Sequence, residues 1–284
     1  MAEPLDVLLH TLDITDTHAR TSEDIFTATS HPMPTGRIFG GQVLGQAVIA
    51  AQRTIEGRVI HSMHGYFLRP GDTTKPITFS VDRIHDGRSF ATRRSQAYQD
   101  GLPIFSMIAS FQTEDDGIEH QAEMPAGLPD PESLPDPGTL PGVGRTGTPW
   151  EVRYIDSSIA TSVGDNREPA QQMWIRTAGA MPDDPALHRG VLAYLSDYGI
   201  LEPILRRHGI AWQQPGLKIA SLDHAMWFHR PSRVDEWMLY DIESPNATGG
   251  RGLSFGRFFA RDGTLIASVA QEGTIRVPDG TQPS

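Results

Sequence analysis

The segment from residue 40 to residue 112 decides the fold. It opens as Gly40-Gly41-Gln42-Val43-Leu44-Gly45-Gln46-Ala47-Val48-Ile49-Ala50-Ala51-Gln52-Arg53-Thr54. Val43, Ala47, Ala50 and Ala51 recur at helical spacing, which predicts a helix over 40–54. Four shorter runs follow: Ser62 to Leu68, closed by Arg69-Pro70, then Ile77 to Ile84, Ser89 to Tyr98 and Ile104 to Gln112. Asp86-Gly87 and Asp100-Gly101 separate the last three. Asp-Gly between alternating runs predicts hairpins, because both residue types accept the left-handed backbone of a tight turn. The segment is therefore one helix followed by an antiparallel meander.

Outward from this segment, the second half repeats the plan. Val191 to Arg207 predicts a helix, with Pro203 a kink or break. Ile219 to His229 predicts a strand and ends at Arg230-Pro231. Met238 to Glu243, a turn at Asn246 to Gly250, Gly252 to Ala260, Asp262-Gly263 and Leu265 to Val277 complete the unit. The Arg-Pro pairs, 69 and 230, lie 161 residues apart, and the Asp-Gly pairs, 100 and 262, lie 162 apart. One inserted residue reconciles them. The expected class is α+β, with two helix-plus-antiparallel-sheet repeats in one chain. One face of an antiparallel sheet can stay wet while the helix covers the other. Between Pro125 and Pro149 lie seven prolines and five glycines, the composition of a linker. The expected units are 1–118, a linker at 119–150, and 151–284.

Composition narrows the function. Over 284 residues, 24 Lys and Arg stand against 35 Asp and Glu, a net charge of −11. That disfavours nucleic acid as a partner, although a few local arginines can still hold a phosphorylated ligand. No run of about 18 apolar residues marks a membrane span. The start, Met1-Ala2-Glu3-Pro4-Leu5-Asp6, lacks the basic region of a signal peptide. Cysteine is absent, which removes disulfides, thiolate metal sites and a cysteine nucleophile. A reducing compartment fits, and the expected location is cytoplasmic. His-x-x-x-His is absent too, so no metal site is expected.

Two motifs match without their context. Gly252-Leu253-Ser254-Phe255-Gly256 has the spacing of a nucleophile elbow, but a strand continues after it and no histidine follows His229. Gly142-Val143-Gly144-Arg145-Thr146-Gly147 has the dinucleotide-loop spacing, but it lies in the linker.

Polar residues beside apolar faces are better candidates, because burying them is costly without partners. Asp197 flanks the stripe Val191, Tyr194, Leu195, Tyr198, Leu201 and Leu205. Ser221 alternates with Ile219, Asp223, Ala225 and Trp227. Gln271 alternates with Leu265, Ala267 and Val269, and its first-half counterpart is Ala109. Taken singly, the first reads rather as a solvated flank residue or cap and the second as a hydroxyl tied to nearby backbone, while the third is equally a structural amide. His64 and His224 lie in the two matched strands at non-equivalent positions. His224 and its neighbour Asp223 point to opposite faces and cannot pair. Arg37, Arg69, Arg93, Arg94, Arg230, Arg251 and Arg257 could meet an anion, with Arg69 and Arg230 read as structural because they recur.

Together these residues carry a family likeness. Gly36-Arg37-Ile38-Phe39-Gly40-Gly41-Gln42, His61-Ser62-Met63-His64-Gly65-Tyr66-Phe67 and Asp86-Gly87-Arg88-Ser89-Phe90 resemble blocks of the acyl-CoA thioesterase II family. So do Leu192-Ala193-Tyr194-Leu195-Ser196-Asp197, the block from Ser221 to His229, and Ala267-Ser268-Val269-Ala270-Gln271-Glu272-Gly273. The resemblance implies a double hotdog fold, an acyl-CoA substrate, no cofactor, and a homo-oligomer, dimer or tetramer. It implies hydrolysis to fatty acid and CoA by direct attack of a water held by an Asp, a Thr or Ser, and a Gln. By motif these fall on Asp197, Ser221 and Gln271. Gly40 and Gly41, where backbone can approach closely, are further candidates as oxyanion donors, and His64 as a substrate contact. The alternatives are a hotdog enoyl-CoA hydratase, whose Asp–His pair has no match here before His208, and a non-catalytic acyl-CoA binding protein.

Overall fold

The computed structural model describes residues 3–19, 21–31, 33, 35–136 and 148–277. In chain order the first half contains α1 (Pro4–Leu12), β1 (Thr15–Asp16), β2 (Asp24–Ala28), α2 (Gly40–Gln52), β3 (Val59–Phe67), β4 (Ile77–Asp86), β5 (Phe90–Gln99) and β6 (Leu102–Gln112). The second contains β7 (Trp150–Tyr154), β8 (Ala170–Thr177), α3 (Pro185–Ser196), α4 (Glu202–Arg207), β9 (Lys218–Ser221), β10 (Asp223–Phe228), β11 (Met238–Thr248), β12 (Arg251–Ala260) and β13 (Leu265–Arg276). The strands form one sheet in the order β1-β2-β4-β5-β6-β3-β10-β13-β12-β11-β8-β7, with β9 paired to β13. This sheet wraps α2 and α3, the double hotdog arrangement.

The two halves join at β3 and β10, where His64 pairs with Ala225. Their separation, 225 − 64 = 161, is the offset between the Arg-Pro pairs. Each is the other's counterpart, so a local twofold passes through this pair. The ends of the strands repeat in detail. The N–H groups of Leu68 and Arg69 both donate to the Ile104 carbonyl, at 2.8 and 3.3 Å. Those of His229 and Arg230 both donate to the Ile266 carbonyl, at the same two distances.

The helices cross backbone to backbone because glycines face one another. A Cβ on Gly45 would stand 2.8 Å from the Gly190 carbonyl oxygen, and one on Gly41 would stand 2.3 Å from that of Tyr194. Close approach of this kind is open only to glycine. Leu44, Ala47, Val48, Ala50 and Ala51 of α2, with Val191, Leu192 and Leu195 of α3, are sealed from solvent. Each large apolar side chain among them contributes roughly 1.5–3 kcal/mol through burial.

Several elements depart from the sequence expectation. The helix expected over 191–207 is two helices. α3 starts at Pro185, where the Asp184 side chain accepts the N–H groups of Ala186 and Leu187. It ends at Ser196, and Gly199, with φ of 74°, turns the chain. Pro203 lies in the first turn of α4, where a missing N–H costs nothing, and so starts a helix rather than kinking one. The strand expected over 219–229 breaks at Leu222. Ser221 pairs with Gly273 while Ala225 pairs with Ala270, so the register slips by one residue between them. The turn expected at 246–250 is confined to Gly249 and Gly250, both left-handed, and β11 runs up to it. Ser254 lies inside β12, so there is no elbow. The glycine motif at 142–147 lies outside the described residues. The described part of the expected linker is strapped to the second half. Gln121 bonds Gly263 and Leu265, the Trp174 indole donates to the Pro129 carbonyl, and Met124, Leu128 and Leu134 pack on Trp174 and Trp237.

Candidate active site

Asp197 follows α3 directly, with helical backbone at φ −80° and ψ −12°. Its carboxylate reaches the first turn of α2, whose amides lack intrahelical acceptors and carry the positive end of the helix dipole. There Asp197 Oδ2 accepts the Gly41 N–H at 2.8 Å. Gly40 permits this approach, since a Cβ on it would stand 2.7 Å from Oδ2. The other oxygen, Oδ1, accepts Gln271 Nε2 at 2.9 Å and the Ser221 hydroxyl at 3.1 Å. Gln271 Nε2 also donates to Ser221 Oγ at 2.9 Å, which closes a triangle. The register slip at Leu222 ends β9 at Ser221, and Gln271 points inward from β13 with 1 % exposure. Loss of solvent pushes the Asp197 pKa up to about 6, against the three donors, which pull it down.

His224, not among the residues expected from sequence, joins this group. Its side chain is 1 % exposed. Nδ1 lies 2.5 Å from Gln271 Oε1 and Nε2 lies 2.9 Å from Ser196 Oγ. Burial pushes its pKa down to about 4, so the ring is neutral at pH 7. Gln271 Oε1 can only accept, so the ring proton belongs on Nδ1, and this bond turns the amide NH2 toward Asp197 and Ser221. Asp223 does point elsewhere, its Oδ1 accepting the Glu272 N–H at 2.7 Å. The signal for His224 was in the sequence. It alternates with Met226 and Phe228, both buried, and is the polar residue on an apolar strand face.

Gly40 and Gly41 stand at the site, the Gly41 amide already bonded to Asp197. His64 does not reach it. It lies exposed on the outer face of the sheet, edge-on to Trp227 at 5.2 Å, because its strand turns Met63 and Gly65 inward instead.

A cavity of about 680 Å³ opens over Asp197, Ser221 and Gln271. Phe39, Val43, Phe67, Phe105, Leu201 and Trp212 contribute to its apolar walls. Among the described residues no group of three or more His, Cys, Asp or Glu is arranged to hold a metal ion.

The repeat supplies a mirror position, and it is chemically empty. Gly45 and Gly190 cross, an offset of 190 − 45 = 145. By that offset Gln52 matches Asp197 and Ala186 matches Gly41. Gln52 Nε2 donates to the Ala186 carbonyl at 3.0 Å. Ile60 and Ala109 stand where the second half has Ser221 and Gln271, both buried. Among the described residues, the mirror position thus sets an amide against a backbone carbonyl where the second half sets a carboxylate against a backbone N–H.

Residues 29–112 match the family model described as acyl-CoA thioesterase N-terminal domain, and residues 149–274 match that described as acyl-CoA thioesterase. The chain belongs to the acyl-CoA thioesterase family. It is 39% identical over 276 residues to acyl-coenzyme A thioesterase 8 of Homo sapiens, covering 90% of this chain and 85% of that one. It is 37% identical to acyl-CoA thioesterase 2 of Haemophilus influenzae, covering 97% and 99%. Among solved structures it is similar to the acyl-CoA thioesterase II TesB2 of Mycobacterium marinum, with TM-score 0.77, 40% identity and coverage of 98% and 100%. A hotdog-fold protein of Alicyclobacillus acidocaldarius, 17% identical, shares the fold at TM-score 0.78 over 96% of this chain and 98% of that one. No helix of this family member, among the described residues, is long and apolar enough to cross a membrane.

Proposed function

We propose that the protein hydrolyses fatty acyl-CoA to fatty acid and CoA by direct attack of water, with Asp197 as general base. The observation that carries this is the closed triangle of Asp197, Ser221 and Gln271 at the foot of an apolar cavity. A carboxylate with pKa of about 6 is ionised at pH 7 yet basic enough to accept a proton from water. Ser221 and Gln271 hold that water and aim a lone pair at the thioester carbon. The new C–O bond places negative charge on the carbonyl oxygen, and since the Gly41 N–H is committed to Asp197 Oδ2, the Gly40 amide is the candidate left at the start of α2 to receive it. Collapse breaks the C–S bond, and the proton taken up by Asp197 passes to the sulfur. Carboxylic acid and thiol leave, the acid giving its proton to solvent, and no covalent enzyme intermediate forms.

The test is CoA release from palmitoyl-CoA, read with a thiol-reactive chromophore. The chain itself contributes no thiol. Asp197→Asn should cut the rate by about 10²-fold or more. Equal rates in both proteins would move the chemistry away from Asp197. Hydration of an enoyl-CoA without CoA release would make the enzyme a hydratase, and tight binding without turnover a carrier.

A further inference from the structure

Seven arginines stand out in the sequence, and the structure divides them. Arg93, Arg94, Arg230, Arg251 and Arg257 each have a carboxylate within 4 Å, from Asp86, Asp82, Glu119, Glu272 and Asp241 respectively. Arg37 and Arg69 have none among the described residues, and both line the cavity that holds Asp197. Among the described residues they are the only cationic side chains in its wall, on a chain whose net charge is −11.

The repeat separates what Arg69 does for the fold from what remains. Arg69 Nη1 donates to the Pro103 carbonyl at 2.8 Å, and its counterpart Arg230 donates from Nη1 to Leu265, the counterpart of Pro103, at 3.4 Å. That bond is structural in both halves. Arg230 Nη2 then lies 3.7 Å from Glu119, whereas Arg69 lines the cavity and has no carboxylate partner among the described residues. A guanidinium has five N–H donors, so one carbonyl bond leaves most of them free.

The two arginines are also fixed relative to each other. Ile38 N–H donates to the Gly71 carbonyl at 3.0 Å, Thr73 N–H to that of Gly36 at 3.1 Å, and the backbones of Arg37 and Asp72 pair as an isolated antiparallel β-bridge. The loops that carry Arg37 and Arg69 are thus stitched into one rim. Asp197, Arg37 and Arg69 line the same cavity, so a substrate that sets its thioester against Asp197 and its acyl chain along the apolar wall can present an anionic end to the two arginines.

We infer that Arg37 and Arg69 form a phosphate-binding rim that holds the nucleotide end of CoA. This rests on the proposed acyl-CoA hydrolysis and adds which residues select the CoA thioester over a shorter one. Guanidinium groups bind phosphate through paired charge-assisted hydrogen bonds, and the contact should act on binding rather than on the chemical step.

The experiment compares palmitoyl-CoA with palmitoyl-pantetheine, which keeps the thioester and lacks the phosphates, in wild type, in the Arg37→Gln/Arg69→Gln double variant and in Arg230→Gln. In the double variant KM for palmitoyl-CoA should rise about tenfold or more, with kcat within about twofold. KM for palmitoyl-pantetheine should not change, and Arg230→Gln should behave as wild type on both. Free CoA binding by calorimetry gives the same comparison without turnover, so it holds even if the proposed hydrolysis fails. An equal effect on both thioesters, or undiminished CoA binding in the double variant, would overturn the inference.

Discussion

The amide N–H of Gly41 and the carboxylate of Asp197 meet at 2.8 Å across 156 residues of chain. One belongs to the helix of the first repeat, the other to the end of the helix in the second. The contact exists because the two helices cross on glycine and bring the start of α2 against the end of α3. The carboxylate is therefore held in a gap between repeats, with little solvent and three donors. This placement sets its pKa and leads to most of what can be measured.

The first consequence is a pH profile. The proposed role of Asp197 as base requires it to be ionised, and its pKa is about 6. The kcat/KM should therefore be level above pH 7 and fall below pH 6 with a limiting slope of about tenfold per pH unit. The residual activity of Asp197→Asn should lack this limb. A wild-type profile that stays flat down to pH 4.5 would exclude a base with this pKa.

The same shift acts on stability. The folded pKa of Asp197 is raised from 3.8, so its protonated form favours folding. That contribution is complete below pH 3.8 and is lost as the pH rises through about 6. In the other direction the ionised group is a burden at pH 8. Asparagine carries no such proton, so the stability of Asp197→Asn relative to wild type should improve between pH 4 and pH 8 by about 2–3 kcal/mol. His224 titrates in both proteins and cancels in the difference. Urea unfolding at the two pH values reads it directly, and a constant difference would mean that the carboxylate is well solvated.

The adjacent glycines should fail in different ways. A Cβ on Gly41 would meet the Tyr194 carbonyl, which is backbone and cannot step aside without parting the helices. Gly41→Ala should cost about 2–4 kcal/mol of stability. A Cβ on Gly40 would meet Asp197 Oδ2 and the Phe67 ring, both of them side chains. Gly40→Ala should stay within about 1 kcal/mol of wild type yet lose about tenfold or more in kcat, because it displaces the base. Thermal unfolding and turnover on the same preparations test both. A fully active Gly40→Ala would mean that the carboxylate position is not critical.

Much of this arrangement was legible in the sequence, for physical reasons. The meander could be read because Asp-Gly turns and period-two patterning are local signals, and Asp100 and Gly101 do take left-handed conformations, with φ of 51° and 75°. Gln271 could be read because an amide in an apolar row needs partners. The break at Leu222 could not be read, because it comes from a register slip against β13, a tertiary event. The split between α3 and α4 was missed because apolar spacing continues through Tyr198, Ile200 and Leu201, all buried, after the helix has ended. His224 was missed for another reason. Its partners, Gln271 and Ser196, lie 47 and 28 residues away in the chain, where no local pattern points to them.

His224 gives the last prediction. Its Nδ1 holds Gln271 Oε1, and so decides which end of the amide faces Asp197. Without that donor the amide can flip and set Oε1 against the carboxylate, an arrangement of two acceptors. His224→Leu should therefore lower kcat by about tenfold or more while leaving KM nearly unchanged. It should also raise the midpoint of the pH profile, because the Gln271 bond is one of the donors that pull the Asp197 pKa down. His224→Asn places an N–H close to the position of Nδ1 and should recover most of kcat and return the midpoint. A role confined to packing makes the opposite forecast. Leucine, being apolar, would then be the milder change, asparagine the harsher, and the midpoint would not move in either. Pre-steady-state turnover and pH profiles of the three proteins distinguish the cases, and a midpoint unchanged in His224→Leu would rule out control of the amide by His224.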